Sequence, residues 1–394
     1  MSQAKRKLKI GLLGFGAMGK THAYCIHNLP YFYPELSFEA EVAGVVTTSL
    51  EKSKRMSETY RLGSPAENED VLIRDPNIDI IDICTPNHLH YETLKKVIRA
   101  GKAVYCEKPL CTTAAEAWEI ANLAEKHGVT AQIVFNNQFL APIQRAGQLV
   151  TEGRLGRILS FRASYLHNSA LDVNRKAGWK QDRSVCGGGV LFDLGSHAIG
   201  LIHSLCGEFA TVSGTSQIAY PKRTGMDGKP WETNADEAFY LTAQLKNGAF
   251  GTITASKLAT GTNDDLSIDI YGEKGALHFS LMEPNWLYFY DATAADAPIG
   301  GLRGYTRLEC VGRYPFPGGV FPSPKAPRGW LEGHIESMMH FLTCVANGTT
   351  ATIPNFFDAA HVQSVMEAAY KSDIMDGRRQ PVAGRPQSIM GGKS

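Results

Sequence analysis

Apolar and polar positions along the first third of the chain switch between two periods. Short apolar runs at residues 8–13 (LKIGLL), 40–46 (AEVAGVV), 79–84 (DIIDIC), 102–107 (KAVYCE) and 130–135 (TAQIVF) predict buried strands. Between them, 17–29, 50–60, 90–100 and 114–128 show helical patterning, with Pro30 expected to end the first helix. Strands alternating with helices predict βαβ units and a parallel sheet covered on both faces. After about residue 137 the texture changes. Residues 158–167, 209–220, 237–247, 251–259, 266–273 and 275–281 are strand-like with hairpin-length gaps, which predicts an open, mostly antiparallel sheet with one packed face. Residues 291–329 are rich in Gly, Pro and Ala and read as a long arm or loop, and two amphipathic helices follow near 331–347 and 356–375. The expected class is α/β: a doubly wound parallel sheet over 1–137, then an α+β domain with a large, mostly antiparallel open sheet over 138–394.

Composition narrows the partners. A chain of 394 residues suits two domains. Its 40 Lys and Arg stand against 39 Asp and Glu, so the net charge of +1 recommends neither nucleic acid nor membrane, and small molecules are the expected partners. Eight cysteines are scattered without a CxxC pair or zinc-finger spacing, the pattern of reduced thiols in a cytoplasmic protein. Residues 4–18 (AKRKLKIGLLGFGAM) mimic a signal peptide, but Lys9 interrupts the apolar stretch and the glycines fit a turn, so they read as strand and loop. No other apolar run approaches transmembrane length.

The chemistry starts in that loop. GLLGFGAMG sets Gly14, Gly16 and Gly19 in a GxGxxG, with Phe15, Ala17 and Met18 between them, after the first strand and opening the first helix. Gly14 permits the tight turn, Gly16 lets a pyrophosphate approach the backbone, Gly19 lets helix and strand pack closely, and the helix N-terminus faces the phosphates. Dinucleotide binding follows more readily than an ordinary glycine turn. The ribose-binding acid expected about twenty residues on has two decoys, Glu39 and Glu41, which are expected before the second strand, whereas the ribose lies beyond its C-terminal end. That end reads VVTTSLEKSKR and offers Thr47, Thr48 and Lys52 instead, so residue type alone tips slightly toward NADP. The next strands end in Thr85, Pro86, Asn87, His88 and His90, and in Glu107 and Lys108 before Pro109. Ligands bind at the carboxyl ends of such strands, which turns Lys108 from a solvated strand terminator into a residue of the crevice. In CGGGVLFDLGSH, Asp193 and His197 share one helix face at i, i+4. Local pairing on an exposed helix or a satisfied core histidine explains most such pairs; a metal site is a second alternative, but further ligands for a metal are not at hand, and His203 lies off that face.

GFGAMG, TPNHLH, CEKP and GGGVLFDLGSH, in this order before an antiparallel domain, resemble the Gfo/Idh/MocA oxidoreductases over nearly the whole chain. GRILSFRASYL and the C-terminal arm look most like the branch that oxidises levoglucosan, other glycosides and inositols. The resemblance implies a Rossmann domain binding NAD or NADP. It implies Lys108, Asp193 and His197 as the catalytic set, and Thr85, Pro86, Asn87, His90 and Glu107 around the nicotinamide ribose. Asn137 and His167 would stand near the sugar, and Tyr165, Trp179 and Arg183 are further candidate sugar contacts. Two positions depart from the family: Thr47 replaces the ribose-binding acid, and Gly200 stands where many relatives carry an acid. The expected reaction is oxidation of a ring secondary hydroxyl of a sugar, anhydrosugar or glycoside, with His197, of ordinary pKa about 6.5, as base. Cyclitol oxidation, a redox glycosidase, a non-catalytic sensor and a metal-dependent hydrolase are the rivals. The family and the exposed sheet imply a homo-oligomer, a dimer, tetramer or larger.

Overall fold

The computed structural model describes residues 5–312, 314, 325–350 and 352–386. Six strands, β1 (Arg6–Leu13), β2 (Phe38–Val46), β3 (Ser64–Ala66), β4 (Ile80–Ile83), β5 (Ala103–Cys106) and β6 (Ala131–Ile133), form a parallel sheet in the order 3-2-1-4-5-6. Strands β1, β4 and β5 are largely buried because both faces of the sheet are covered, as parallel sheets require. The helices between them are α1 (Ala17–Phe32), α2 (Leu50–Tyr60), α3 (Glu69–Arg74), α4 (His90–Arg99) and α5 (Ala114–His127). Pro30 does not end α1 but lies inside its last turn. A proline there forgoes one intrahelical bond, and the end is closed instead by the Tyr33 amide donating to the Leu29 carbonyl at 2.9 Å.

A helix α6 (Ala141–Thr151) leads into a nine-stranded sheet. Its strands are β7 (Ile158–Leu166), β8 (Phe209–Gln217), β11 (Ala238–Leu245), β12 (Phe250–Ser256), β13 (Asp265–Gly272), β14 (Gly275–Ser280), β15 (Trp286–Asp291), β16 (Tyr305–Glu309) and β17 (Gln380–Pro381), in the order 16-15-14-13-7-12-11-8-17. The short β9 (Lys222–Thr224) and β10 (Pro230–Glu232) make a separate hairpin. All neighbours in the large sheet run antiparallel except β7 and β12, which are parallel. Helices α7 (Arg183–Cys186), α8 (Ser196–Cys206) and α10 (Phe356–Ile374) precede or cover its inner face, where Phe161, Ala163 and Tyr165 of β7 point. The run Arg183–Cys206 has the length and hydropathy to cross a membrane, but 83% of its apolar window is buried within the protein. In the Gly/Pro/Ala-rich arm, β16 pairs with β15, and the Arg307 guanidinium lies 3.9 Å over the Trp286 ring.

Helix α9 (Trp330–Ala346) returns to the first sheet. Its Ile335, Met338, Met339, Phe341, Leu342 and Val345 share one core with Leu8, Ile10 and Leu12 of β1 and Ile26 of α1. The stretch 138–394 therefore contributes a helix to the dinucleotide-type domain.

Candidate active site

The three glycines meet three different surroundings. Gly14 has φ +89°, and a Cβ there would stand 2.5 Å from the Cys84 carbonyl oxygen. A Cβ on Gly19 would lie 2.3 Å from the Gly14 carbonyl oxygen, so helix and strand close on each other only through glycine. At Gly16 nothing lies within 4 Å. The loop is tight where it must turn and open where a diphosphate would approach the N-terminus of α1, which fits a dinucleotide.

The decoy acids lie not before β2, as expected, but within it, with Glu41 paired to Lys7 at 2.7 Å. Thr47 follows β2, and its hydroxyl is already engaged with the Ser49 carbonyl and the Ser53 hydroxyl, each at 3.1 Å. Beside it Thr48 is exposed and Lys52 is half-buried. On the next loop Thr85 Oγ1 is buried without a partner, a free group at the edge where a ribose would lie. Asn87 donates to the Cys186 carbonyl at 2.8 Å and ties the two domains together. His90 is fully buried, with its ring nitrogens 2.9 Å from the Thr85 and Pro109 carbonyls, so it latches two loops from behind. Glu107 also turns inward, 3.2 Å from His22 Nε2.

Lys108 points across the crevice. Its ammonium donates to the Asp193 carbonyl at 2.5 Å and to Asp193 Oδ1 at 3.2 Å. Two further lysines, absent from the sequence reading, meet the same carboxylate: Lys257 at 2.8 Å and Lys180 at 3.1 Å. Burial opposes the Asp193 charge, but Lys257, Lys108 and Lys180 hold it well below the usual carboxylate range. Burial pushes the Lys108 ammonium down, against the pull of Asp193.

Asp193 sits in a π-type turn (Leu191–Gly195) that runs into α8. The preceding glycines are anchored by Asp236, whose carboxylate accepts from the Gly189 and Leu191 amides at 2.9 and 3.1 Å. A Cβ on Gly189 would lie 2.2 Å from the Asp236 backbone, so this approach needs glycine. One turn on, His197 is 9% exposed between the rings of Phe135 and Tyr165, and its Nδ1 has no partner. Burial first and the Lys108 charge second push it down to about 3. The ordinary imidazole value expected from sequence is thus corrected: His197 is neutral throughout the neutral range.

The substrate side divides. Asn137 is buried with an unpartnered Nδ2, and Tyr165 packs 5.2 Å from His167, whose Nε2 bonds Asp264 at 2.8 Å. Burial first, then Asp264, push the Tyr165 phenol up. Asp264, Lys180, Lys257 and Asp236 are site residues that sequence reasoning missed. Each follows or precedes a strand or turn with no motif around it. Trp179 is 41% exposed on the rim, under Lys180. Arg183 stacks 4.2 Å over the Tyr370 ring. His203 bonds Asp358 and is structural.

Ligating atoms of His22, Glu107 and His334 lie within 4.8 Å of one another, but both ring nitrogens of His22 already face carboxylates.

Comparison with known proteins agrees with this geometry. The oxidoreductase family model described as an NAD-binding Rossmann fold matches residues 8–135, and the GFO/IDH/MocA C-terminal domain matches 143–278. Levoglucosan dehydrogenase of Pseudarthrobacter phenanthrenivorans is 28% identical over 94% of this chain and 98% of its own. Glucose-6-phosphate 3-dehydrogenase of Bacillus subtilis is 26% identical over 93% and 96%. A solved levoglucosan dehydrogenase in complex with NADH and levoglucosan superposes with a TM-score of 0.90, at 27% identity over 97% of this chain and 100% of that one. With a glycine loop shaped for a dinucleotide and a lysine reaching it from the strand edge, the chain belongs to the Gfo/Idh/MocA oxidoreductases and carries their NAD-binding Rossmann domain.

Proposed function

We propose that the protein oxidises a ring secondary hydroxyl of a sugar, anhydrosugar or glycoside to the keto-sugar with NAD(P). One observation carries the reading: Lys108, from the cofactor edge, is bonded to Asp193, while His197 stands one turn further along the same helix face. The relatives named above act on such compounds, by their names. When bound, the nicotinamide supplies the hydride acceptor. Lys108 would donate to the reacting oxygen and stabilise the developing alkoxide. His197, held neutral by burial, would take the hydroxyl proton. Because burial disfavours its imidazolium, the alkoxide must be stabilised by Lys108 as the proton leaves, so the two groups act as one unit. Asp193, ionised by three lysines, holds Lys108 in place and offers an acceptor to a neighbouring hydroxyl. Asn137, Tyr165 and His167 line the sugar side, and Thr85 and Asn87 the cofactor side. Thr47, with no carboxylate to offer, would admit either cofactor.

Two further readings go with it. The outer face of the nine-stranded sheet exposes Tyr240, Tyr271 and Tyr305, an aromatic surface suited to a homo-oligomer. Cys25, Cys84, Cys106, Cys111, Cys186 and Cys206 are free thiols, which suits a reducing cytoplasm. The test is a screen of sugars, cyclitols and glycosides with NAD and NADP, followed at the absorbance of the reduced nicotinamide. Turnover of a pyranose is expected. A signal with cyclitols alone, or with no compound in the set, overturns the reading.

A further inference from the structure

Beneath the crevice lies a charged cluster that the reaction scheme leaves unused. His22, on α1 one turn past the glycine loop, is 1% exposed. Its Nδ1 lies 3.0 Å from both oxygens of Asp82 on β4, and its Nε2 lies 3.2 Å from Glu107 Oε1 at the end of β5. The other oxygen of Glu107 accepts from the backbone amide of Lys108 at 3.2 Å. Cys84 Sγ also approaches Nδ1, at 3.2 Å, the Tyr105 ring packs at 5.3 Å, and His334 of α9 stands at 6.0 Å with both its ring nitrogens unpartnered.

We propose that His22 is a positioning residue for the reaction: held as an imidazolium between Asp82 and Glu107, it fixes the Glu107 carboxylate and, through it, the backbone from which Lys108 reaches the substrate. The inference rests on the sugar-oxidising reading for its kinetic consequence, but not for its structural core. An ionised carboxylate only accepts hydrogen bonds. A ring flanked by two of them must therefore donate from both nitrogens. Burying a lone charge is costly, and pairing makes it tolerable. Here the pairing is ordered as a line from Asp82 through His22 to Glu107. Its last member touches the catalytic lysine's own peptide group, where a shift of the strand end would carry straight to the ammonium. An apolar trio could fill the same space, but it would leave the Lys108 amide without this acceptor. Glu107 agrees with this assignment: burial opposes its charge, yet the His22 hydrogen bond and charge bring it down to about 2. His22 itself is raised well above its ordinary value, since Asp82 and Cys84 outweigh the burial that lowers it.

The protein labelled with ¹⁵N-histidine tests the core of this. Both ring nitrogens of His22, identified by the signal lost in His22→Gln, should carry protons at pH 7.5. A single-proton tautomer, or a stoichiometric metal on His22, Glu107 and His334, would overturn the proposal. For function, the His22→Gln/Asp82→Asn double variant removes one cation and one anion together, so the cluster keeps its net charge and the fold should survive if the single variant does not. It should lose roughly 10- to 100-fold in kcat, as a displaced lysine would, with KM for the sugar nearly kept. The acid limb of cofactor affinity, measured by calorimetry, should move up in pH because Glu107 is no longer held ionised. A folded double variant with the parent kcat and the parent pH dependence of cofactor binding refutes the positioning role. If the parent oxidises no sugar, the substrate reading fails. The ring protonation and the cofactor titration then still decide this inference by themselves.

Discussion

Truncating Lys108 separates the two readings of that side chain most directly. In Lys108→Ala the ammonium that meets the Asp193 carbonyl at 2.5 Å and its carboxylate at 3.2 Å disappears. Asp193 is not left unpaired, because Lys257 at 2.8 Å and Lys180 at 3.1 Å remain. The cost to stability should therefore stay at or below about 1.5–3 kcal/mol, the range for a hydrogen bond to a charged group, rather than that of an orphaned buried charge. The cost to rate should be far larger. A donor aimed at a developing alkoxide contributes about 2.7–4 kcal/mol, so kcat should fall roughly 10²–10³-fold. Cofactor affinity, set on the glycine loop, should barely change. Losing the Lys108 charge also removes the second cause that keeps His197 down near 3, so the imidazole should move upward. His197→Ala should lose a comparable factor in kcat, and the double variant far less than the product, because both groups act on one proton and one oxygen. The assay is steady-state nicotinamide reduction with the best sugar of the screen, beside a urea titration. A Lys108→Ala enzyme turning over at the parent rate would return the lysine to a strand terminator and remove the mechanism.

Three more expectations follow from particular distances and shifts. Gly16→Val should fold normally, since its Cβ meets open space, and should lose dinucleotide binding in a calorimetric titration; unchanged affinity would show that the diphosphate does not approach there. Thr47→Asp should shift the ratio of kcat/KM toward NAD over NADP, and a ratio that does not move places this side chain away from the ribose. Burial holds His197 and His334 down at about 3 and His361 at about 4, against about 6.5 in the unfolded chain. Below pH 6.5 the unfolded chain binds protons that the native state refuses, so stability should fall from about pH 6.5 toward 4 by up to about 1.4 kcal/mol per pH unit for each. His22, raised rather than lowered, contributes below 6.5 and is lost only as pH rises through its folded value, so it does not cancel that slope. Urea midpoints at pH 7 and 5.5 check this, and equal midpoints would contradict it.

How much of this could be read beforehand depended on whether the signal was periodic or local. The strands β1, β4 and β5 and the helices α2, α4 and α5 come out within a residue or two, because two-sided burial forces continuous apolar runs and single-sided burial forces the helical repeat. The three-residue β3, the six-residue α3 and the hairpin β9–β10 leave too few positions for any period to register. β16 was hidden differently: its Tyr305, Thr306 and Arg307 are exposed, so its stability comes from cross-strand contacts with β15, which a one-dimensional pattern does not contain. The return of α9 to the first sheet is likewise invisible in sequence, since an apolar helix face does not say which sheet it covers.

The site shows the same division, with a chemical consequence. Motifs marked the backbone-constrained part, because glycine and proline record conformations that no other residue would adopt: Gly14 at positive φ, Gly189 against Asp236, Pro109 after Lys108. They also marked Lys108, Asp193 and His197, the residues proposed to touch the reacting atoms. What they could not mark was the electrostatic setting. Lys257 follows β12, Lys180 sits in a short turn before α7, and Asp264 precedes β13, so nothing along the chain relates them. Yet Lys257 and Lys180, with Lys108, keep Asp193 ionised, while burial and the Lys108 charge keep His197 from holding a proton of its own. An imidazole read as a base of ordinary strength is held down in the folded protein, so in the proposed mechanism it needs Lys108 to stabilise the alkoxide at the same moment. Sequence therefore names the participants, and only the fold makes two of them interdependent, which is why the double variant should lose less than the product of its parts.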